Sequence, residues 1–270
     1  MENQAFLRFA TRVHHLIGLD LTCYKSRQML RRLSTLMNRV GVAGFDDYAR
    51  LLEESPERLK EFRDFITINV SEFLRNPGKF EELKSNVLPQ LLARKRQLNI
   101  WSAGCSNGAE PYSLAMLLDE LTPGRPHRIL GTDIDEEILK VAREGLYTAD
   151  DIREVSPARR ARYFRAHGEQ FRVVDALRSN VHFAVHNLLK DPFPMEMDLI
   201  VCRNVVIYFT DKAKDQLYRN FHQSLVPGGI LFVGGTESMF NAREIGFEPM
   251  APMFYRRTGT PATPGREVAL

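Results

Sequence analysis

The chain has 270 residues, a formal net charge of +3 and 44% hydrophobic residues, a composition typical of a globular protein with one large or two small domains. It contains no apolar run of about 18 residues, and charges interrupt the apolar residues of its N-terminal stretch, so we expect a cytoplasmic protein without a membrane-inserted segment. The three cysteines lie far apart and fit neither a metal-ligand spacing nor a disulfide framework, so we expect no metal site.

Apolar residues at helical spacing predict four helices, which form a small helical domain over residues 1–70. The second predicted helix, residues 22–40, lies in a basic part of the chain, since residues 1–40 hold seven Lys/Arg against two acidic residues. The arginines of this helix are Arg27, Arg31, Arg32 and Arg39. Such a face is most often only solvated. The alternative is a docking surface, and an acidic protein helix fits it better than nucleic acid because no aromatic residues alternate with the basic ones.

Residues 71–97 are predicted to be a linker followed by helices that lead into the next domain. The stretch NVSEFLR (69–75) is half apolar and places an apolar Phe73 beside Arg75. Two interpretations remain open here. The stretch is either a plain connection with a surface arginine, or a segment that lies across the mouth of the following domain.

The stretch Ile100–Ala115, IWSAGCSNGAEPYSLA, predicts a strand, a loop of small residues and a helix whose first turn contains Pro111. The loop has Gly104 and Gly108 but lacks the middle glycine of a dinucleotide-binding motif and the lysine of a phosphate-binding loop. Glu110 at the start of the helix would repel phosphate. It suits a cationic ligand, so S-adenosylmethionine fits this loop better than ATP or NAD; the alternative is an ordinary tight turn.

Polar residues follow two further predicted strands. The strand 128–132 ends at Asp133, a position where ribose hydroxyls are held in folds of this type, and Asp135 is expected to cap the next helix. The continuous apolar run Met197–Cys202 predicts a buried parallel strand that ends at Arg203-Asn204. Ligands of open α/β sheets bind at the carboxyl ends of such strands.

The remaining segments complete a predicted domain over residues 98–257. Residues 146–184 are expected to form an inserted, small antiparallel β-subdomain, in which 170–174 and 180–184 pair as a hairpin. A second hairpin is predicted at about 247–257. The Thr-, Pro- and Gly-rich residues 258–270 are predicted to be a disordered tail.

Several motifs, in one order, resemble the CheR family of chemotaxis receptor glutamate O-methyltransferases, in the short form of Bacillus-type bacteria. The motifs are INVSEFLRN (68–76), WSAGCSNGAEPYSLAMLL (101–118), TDIDEEIL (132–139), HNLL (186–189), DLIVCRNVVIYFT (198–210) and LFVGGTES (231–238). The resemblance spans residues 3–257. It implies an α/β fold in which a small N-terminal helical domain precedes a Rossmann-like S-adenosylmethionine (SAM)-dependent methyltransferase domain with an inserted small antiparallel β-subdomain.

The resemblance also implies the residues of the site. Those that would contact the cofactor are Asn69, Ser71, Arg75, Gly104, Glu110, Asp133, Asn187, Leu188, Arg203 and Asn204. Among them, Glu110 would hold the methionine end and Asp133 the ribose hydroxyls, while Asn187 and Leu188 would border the adenosine. Arg75 and Tyr208 would flank the transferring methyl group as catalytic residues.

The implied reaction is the methylation of glutamate side chains on the cytoplasmic coiled coil of chemoreceptors (methyl-accepting chemotaxis proteins). It gives glutamyl methyl esters and S-adenosylhomocysteine, without a metal ion. The basic helix 22–40 would dock the acidic receptor. Because the insertion lacks the glycine-rich loop of members that grip a receptor's C-terminal pentapeptide, we expect no such tethering. We also expect a monomer without a nucleic-acid partner. The alternatives are a non-catalytic SAM-binding regulator and a methyltransferase for another protein carboxylate.

Overall fold

A computed structural model describes residues 2–67, 69 and 71–259, with side chains from residue 4 onward. From residue 260 onward, the predicted disordered tail lies outside the described residues. The helices are α1 (Glu2–Ile17), α2 (Ser26–Arg39), α3 (Phe45–Glu54), α4 (Pro56–Thr67), α5 (Pro77–Glu82), α6 (Leu88–Arg94), α7 (Ala109–Leu121), α8 (Glu136–Glu144), α9 (Pro157–Tyr163), α10 (Asp175–Arg178), α11 (Asp211–Ser224) and α12 (Ala242–Ile245). The strands are β1 (Asn99–Ala103), β2 (Arg128–Asp133), β3 (Leu146–Tyr147), β4 (Phe164–His167), β5 (Gln170–Val173), β6 (Val181–Val185), β7 (Met197–Cys202), β8 (Leu225–Val233), β9 (Phe247–Ala251) and β10 (Phe254–Arg257). Backbone contacts divide the chain into two units, residues 1–68 with 206–216, and residues 69–205 with 217–270.

The smaller unit packs α1, α3 and α4 around aromatic side chains. Phe9 is buried, and its ring centroid lies 5.5 Å from that of Phe45, 5.8 Å from Tyr48 and 6.1 Å from Phe62. The predicted helix 22–40 begins later than expected, at Ser26. The reason is local: residues 21–23 form a 3₁₀ turn in which the Asp20 carboxylate accepts a hydrogen bond of 2.9 Å from the Thr22 N–H.

Residues 206–216 belong to this smaller unit although they lie far along the chain. A 3₁₀ turn at Val206–Tyr208 leads into Phe209, which forms an isolated antiparallel bridge with Tyr24. The Lys25 N–H donates to the Tyr208 carbonyl at 2.9 Å, and the Thr210 N–H donates to the Cys23 carbonyl at 2.8 Å. Tyr208 therefore lies beside the start of α2.

The larger unit is built on a seven-stranded sheet of order β6-β2-β1-β7-β8-β10-β9. The strands from β6 to β8 are parallel, and β10 pairs antiparallel with both β8 and β9. The central strand β7 is buried along almost its whole length, which is why five of the six residues in its sequence MDLIVC are apolar. The exception, Asp198, is buried and pairs with Lys95 Nζ at 2.9 Å. The predicted α/β architecture and the terminal hairpin are confirmed.

One aromatic side chain organises the centre of this sheet. Trp101 on β1 is fully buried, and its Nε1–H donates to Thr132 Oγ1 on β2 at 2.9 Å. A buried indole needs such a partner for its one polar atom. Its ring also meets Phe221 of α11 edge to face at 5.5 Å. The indole thus links two strands and a helix below the carboxyl edge of the sheet.

The small antiparallel sheet has the order β3-β5-β4. The predicted hairpin between 170–174 and 180–184 is wrong: β5 pairs with Phe164–His167, and β6 joins the large sheet parallel to β2. Two short segments that are close in sequence do not reveal their pairing partners: β5 forms a local hairpin with β4, whereas β6 pairs with β2, about 50 residues earlier in the chain. In the part of the chain that the structure describes, no helix is long and apolar enough to cross a membrane.

Candidate functional site

The loop between β1 and α7 lies against the end of β2. Gly104 (φ +78°) and Gly108 (φ +86°) both adopt left-handed backbone conformations that glycine tolerates. The N–H groups of Gly104 and Cys105 each donate to the Thr132 carbonyl at 2.8 Å. A Cβ on Gly104 would lie 2.5 Å from Val205 Cγ2, so the loop after β7 approaches this glycine closely. The small residues therefore serve close packing between three strand ends.

Ser106 is a residue of this loop to which the sequence assigned no role. Its backbone is left-handed (φ +51°), and its N–H donates to Asp133 Oδ2 at 2.8 Å. The side chain is only 7% exposed, yet its hydroxyl has no hydrogen-bond partner. A buried hydroxyl without a partner is costly unless a ligand satisfies it. The only signal in the sequence was that a serine occupies the place of a middle glycine.

Asp133 ends β2 as predicted. Its carboxylate accepts the N–H groups of Ser106 and, at 3.1 Å, of Asp135. Burial raises the pKa of Asp133, and these backbone hydrogen bonds oppose that rise. Asp135 caps α8 by accepting the Glu137 N–H at 3.0 Å, which confirms its predicted role. Asn69 is brought to the same place, because its Nδ2 donates to Asp135 Oδ2 at 2.7 Å.

A buried ion pair joins the first helical turn of α7 to the loop after β7. Glu110 Oε1 accepts the Ser102 hydroxyl at 2.8 Å, and Glu110 Oε2 lies 3.8 Å from Arg203 Nη1. Burial raises the pKa of Glu110, against the opposing effects of the Arg203 charge and the Ser102 hydrogen bond. Burial likewise lowers the pKa of Arg203, which is 6% exposed. Removing either partner would leave an uncompensated buried charge.

Arg203 has further partners that fix its guanidinium. Its Nη2 donates to Asn76 Oδ1 at 2.6 Å, so it ties the loop after β7 to the segment before α5. The guanidinium carbon lies 4.8 Å from the ring centroid of Phe232 and 5.3 Å from that of Phe80, within the range of cation–π attraction. These contacts orient the Arg203 guanidinium towards Glu110.

The segment before α5 is packed into the larger unit. Phe73 is fully buried, and its ring meets Tyr147 at 4.7 Å and Phe164 at 5.2 Å, both edge to face. The Leu74 N–H donates to Ser113 Oγ on α7 at 3.0 Å. Arg75 is half-buried, and its positive charge opposes the rise that burial causes in the pKa of Glu110 and adds to the fall that burial causes in the pKa of Arg203. These contacts favour the interpretation of this segment as part of the site rather than as a plain connection.

Asn187 and Leu188 follow the edge strand β6. The His186 N–H donates to the Asp133 carbonyl at 2.9 Å, which places the segment beside the end of β2. The Asn187 side-chain oxygen accepts the Leu189 N–H at 2.9 Å and thereby closes a turn. Leu188 is buried. Asn204, on the other side of the sheet centre, has a left-handed backbone (φ +61°) and a buried side-chain oxygen without a hydrogen-bond partner.

Not every predicted residue belongs to this cluster. Ser71 is half-buried, and Tyr208 is part of the smaller unit. The roles of these two residues stay predictions, as do those assigned to the residues that the structure brings together. The predicted docking arginines Arg27, Arg31 and Arg39 are exposed on α2, whereas Arg32 is half-buried with its guanidinium 4.5 Å from the Phe65 ring centroid. No group of three or more His, Cys, Asp or Glu side chains among residues 2–67, 69 and 71–259 could hold a metal ion.

Comparison with known proteins agrees with this arrangement. A family model described as CheR methyltransferase, SAM binding domain, matches residues 69–252, and one described as CheR methyltransferase, all-alpha domain, matches residues 4–67. The chemotaxis protein methyltransferase of Listeria monocytogenes is 39% identical over 254 residues, which cover 94% of this chain and 97% of the relative. That of Escherichia coli K12 is 34% identical over 247 residues, 86% of this chain and 84% of the relative. The chain, with its helical N-terminal region and its Rossmann-like SAM-binding domain, thus belongs to the CheR methyltransferase family.

Proposed function

We propose that this protein methylates glutamate side-chain carboxylates on the cytoplasmic helices of chemoreceptors, and so acts in sensory adaptation in chemotaxis. The observation that carries the proposal is the pair of partly buried carboxylates, Glu110 and Asp133, on either side of a glycine-containing loop. Family membership and relatives named as chemotaxis protein methyltransferases support the acceptor. Methylation of another protein carboxylate and a binding-only role are outcomes of the test below.

The residues present fit S-adenosylmethionine. When bound, this cofactor supplies a methyl group on a positively charged sulfur, which leaves as the neutral thioether of S-adenosylhomocysteine. Glu110 offers a buried negative charge to the cationic methionine end, and Asp133 offers acceptors to the ribose hydroxyls. The unpartnered hydroxyl of Ser106 and the unpartnered side-chain oxygen of Asn204 are polar groups that a polar ligand would satisfy.

The other predicted residues would complete the binding site. We assign Asn187 and Leu188 to the adenosine border, because they lie beside the end of β2 where Asp133 is found. Arg203 would keep the Glu110 carboxylate charged and correctly oriented through their ion pair. In the same proposal, Gly104 provides the close backbone approach, and the segment that contains Asn69 and Ser71 provides one wall.

The chemistry at the acceptor needs no general base. A glutamate side chain with an ordinary pKa of about 4.3 is already ionised at neutral pH, so alignment is the main task of the site. We propose that the Arg75 guanidinium orients the incoming carboxylate through a bidentate pair, the geometry for which arginine is suited. The Tyr208 hydroxyl would donate a hydrogen bond to the same carboxylate.

The acceptor would dock on α2. This helix, SRQMLRRLSTLMNR, carries no acidic residue, and Arg27, Arg31 and Arg39 are exposed on it, the last with its guanidinium 5.2 Å from the Phe65 ring centroid. An exposed basic face steers an acidic helical partner and selects against basic ones. The buried residues of α2, among them Leu33 and Leu36, hold the helix in the smaller unit.

The proposal is tested by methyl transfer from SAM labelled in its methyl group to a chemoreceptor cytoplasmic fragment, followed by alkali and capture of volatile methanol. Carboxyl methyl esters release methanol in base, whereas N-methyl groups do not. We expect released label that disappears when the receptor glutamates are replaced by alanine and that falls strongly in the Arg75→Ala enzyme. Bound SAM without methanol would show that the acceptor is wrong, and no bound SAM would contradict the cofactor site itself.

A further inference from the structure

Glu237, which follows β8, is a buried carboxylate that the assigned roles leave unexplained. It is 4% exposed, and its Oε2 accepts the N–H of Gly234 at 2.6 Å and the N–H of Asn204 at 2.8 Å. Burying a carboxylate is expensive unless hydrogen bonds satisfy it. These two hydrogen bonds satisfy the carboxylate, and they connect the loop after β8, which carries Gly234, to the loop after β7, which carries Asn204.

The carboxylate is anchored from its own side as well. The Glu237 N–H donates to the Gly234 carbonyl at 3.0 Å, which closes a tight turn, and the Tyr218 hydroxyl of α11 donates to the Glu237 carbonyl at 3.0 Å. A Cβ on Gly234 would lie 2.2 Å from Glu237 Oε2 and 2.9 Å from the Asn204 nitrogen. Glycine at 234 is thus what allows the carboxylate to reach across to Asn204.

Glu237 binds the N–H group of Asn204, and the residues on either side of Asn204 contact the proposed cofactor site. Asn204 has a left-handed backbone, which L residues adopt only at a cost, although asparagine tolerates it better than most. On one side of it, Arg203 pairs with Glu110; on the other, Val205 packs against Gly104. A change in the backbone at Asn204 would therefore displace both the ion pair and the cofactor loop.

We propose that Glu237 is a positioning residue of the cofactor site, which fixes the backbone of Arg203–Val205 and thereby sets the affinity for SAM. The inference rests on the proposed function, in which Arg203 and Asn204 serve the cofactor. Glu237 does not touch the reacting atoms in this account; it acts through the Asn204 peptide. Its charge also acts on Arg203, whose pKa it raises against the effect of burial.

The test compares four variants by equilibrium binding of SAM. Glu237→Ala loses both hydrogen bonds, and we expect its dissociation constant to rise by about tenfold or more. Glu237→Gln keeps one acceptor oxygen at the same place and should stay within about threefold of the wild type. Glu237→Asp keeps the charge but is too short to reach both N–H groups, so its affinity should lie between those of the wild type and Glu237→Ala. Exposed Glu244, on α12, provides the matched control, and Glu244→Ala should bind like the wild type.

A second readout needs no cofactor. Hydrogen exchange of the Asn204 and Gly234 amides should accelerate in Glu237→Ala and Glu237→Asp, while amides of β1 keep their wild-type protection. In an Asn204→Gly background, where the left-handed backbone is free of strain, the Glu237→Ala effect on SAM binding should shrink. Purely global destabilisation would give additive effects and faster exchange throughout.

The outcomes separate the two claims. If the wild type does not bind SAM, the proposed function fails. If the wild type binds SAM and both Glu237→Ala and Glu237→Asp bind it equally well, the positioning role fails while the proposed function stands. If Glu237→Ala does not fold, the test rests on Glu237→Asp and Glu237→Gln. Equal SAM affinity in these two variants and the wild type would refute the positioning role of Glu237.

Discussion

Substitution of Gly104 by alanine tests how closely the cofactor loop packs. The new Cβ would lie 2.5 Å from Val205 Cγ2, whereas carbon atoms in contact prefer about 3.5 to 4.0 Å. Either the loop or Val205 must therefore move by about 1 Å. Both lie at the edge of the sheet where Glu110 and Arg203 meet, so the displacement reaches the cofactor site.

The expected cost has two parts. Alanine in a left-handed backbone (φ +78° here) costs about 1 to 2 kcal/mol, and forcing one extra carbon into a packed contact costs about 1 to 3 kcal/mol. Gly104→Ala should therefore lower the free energy of unfolding by about 2 to 5 kcal/mol. It should also weaken SAM binding, because the loop that carries Ser106 shifts.

Gly124 is the matched control for this prediction. It has a similar backbone (φ +70°), but a Cβ there would meet nothing within 4 Å, so Gly124→Ala should cost only the backbone part, about 1 to 2 kcal/mol. Urea unfolding measures both variants, and calorimetric titration measures SAM binding. Adding Val205→Ala to Gly104→Ala should recover part of the lost affinity. Equal costs for the two glycine variants, or no recovery from Val205→Ala, would refute the packing argument.

Two further predictions concern charge. Burial raises the pKa of Glu110, so this side chain becomes protonated at a higher pH than an ordinary glutamate. SAM binding should therefore weaken as the pH falls, and it should start to weaken at a pH above the usual range for a glutamate. Glu110→Gln should bind SAM weakly, and its affinity should depend less on pH. The effect of Glu110 on folding stability has the opposite pH dependence to its effect on SAM binding. Because its pKa is raised in the folded protein, its contribution to the free energy of unfolding is present at low pH and is lost as the pH rises through the raised pKa. Thermal melts measured beside the titrations therefore distinguish lost binding from unfolding. A double Arg27→Glu, Arg31→Glu variant should lower kcat/KM for the receptor fragment by about tenfold and leave the dissociation constant for SAM unchanged. The exposed control Arg243→Glu should leave both quantities unchanged. Parallel loss of SAM binding in the double variant would mean that α2 is structural rather than a docking surface.

The sequence predicted the central sheet well because buried parallel strands have a distinct composition. Met197–Cys202 was predictable to the residue, since both its faces are covered and every position except Asp198 is apolar. The acidic residue at the end of β2 was predictable for a related reason, as parallel strands bring their carboxyl ends to one edge. Family resemblance then supplied the candidate residues that local patterns could not.

The failures have a common physical cause, which is that pairing across the chain leaves no local trace. The edge strand Val181–Val185 is largely exposed, so nothing in its sequence shows that it pairs with β2 rather than with its neighbour in the chain. The role of Glu237 depends on an N–H group 33 residues earlier in the sequence. Ser106 matters because its hydroxyl is buried without a partner, a property of packing that no spacing rule contains.

The central claim, that the carboxyl ends of β1, β2 and β7 form the SAM site, is tested most directly by a crystal structure of the protein with S-adenosylhomocysteine. The account predicts the ribose hydroxyls on the Asp133 carboxylate, the amino group of the homocysteine end towards Glu110, and a hydrogen bond from the ligand to the Ser106 hydroxyl. A ligand bound away from this edge, or one that leaves Glu110 and Asp133 without contact, would contradict it.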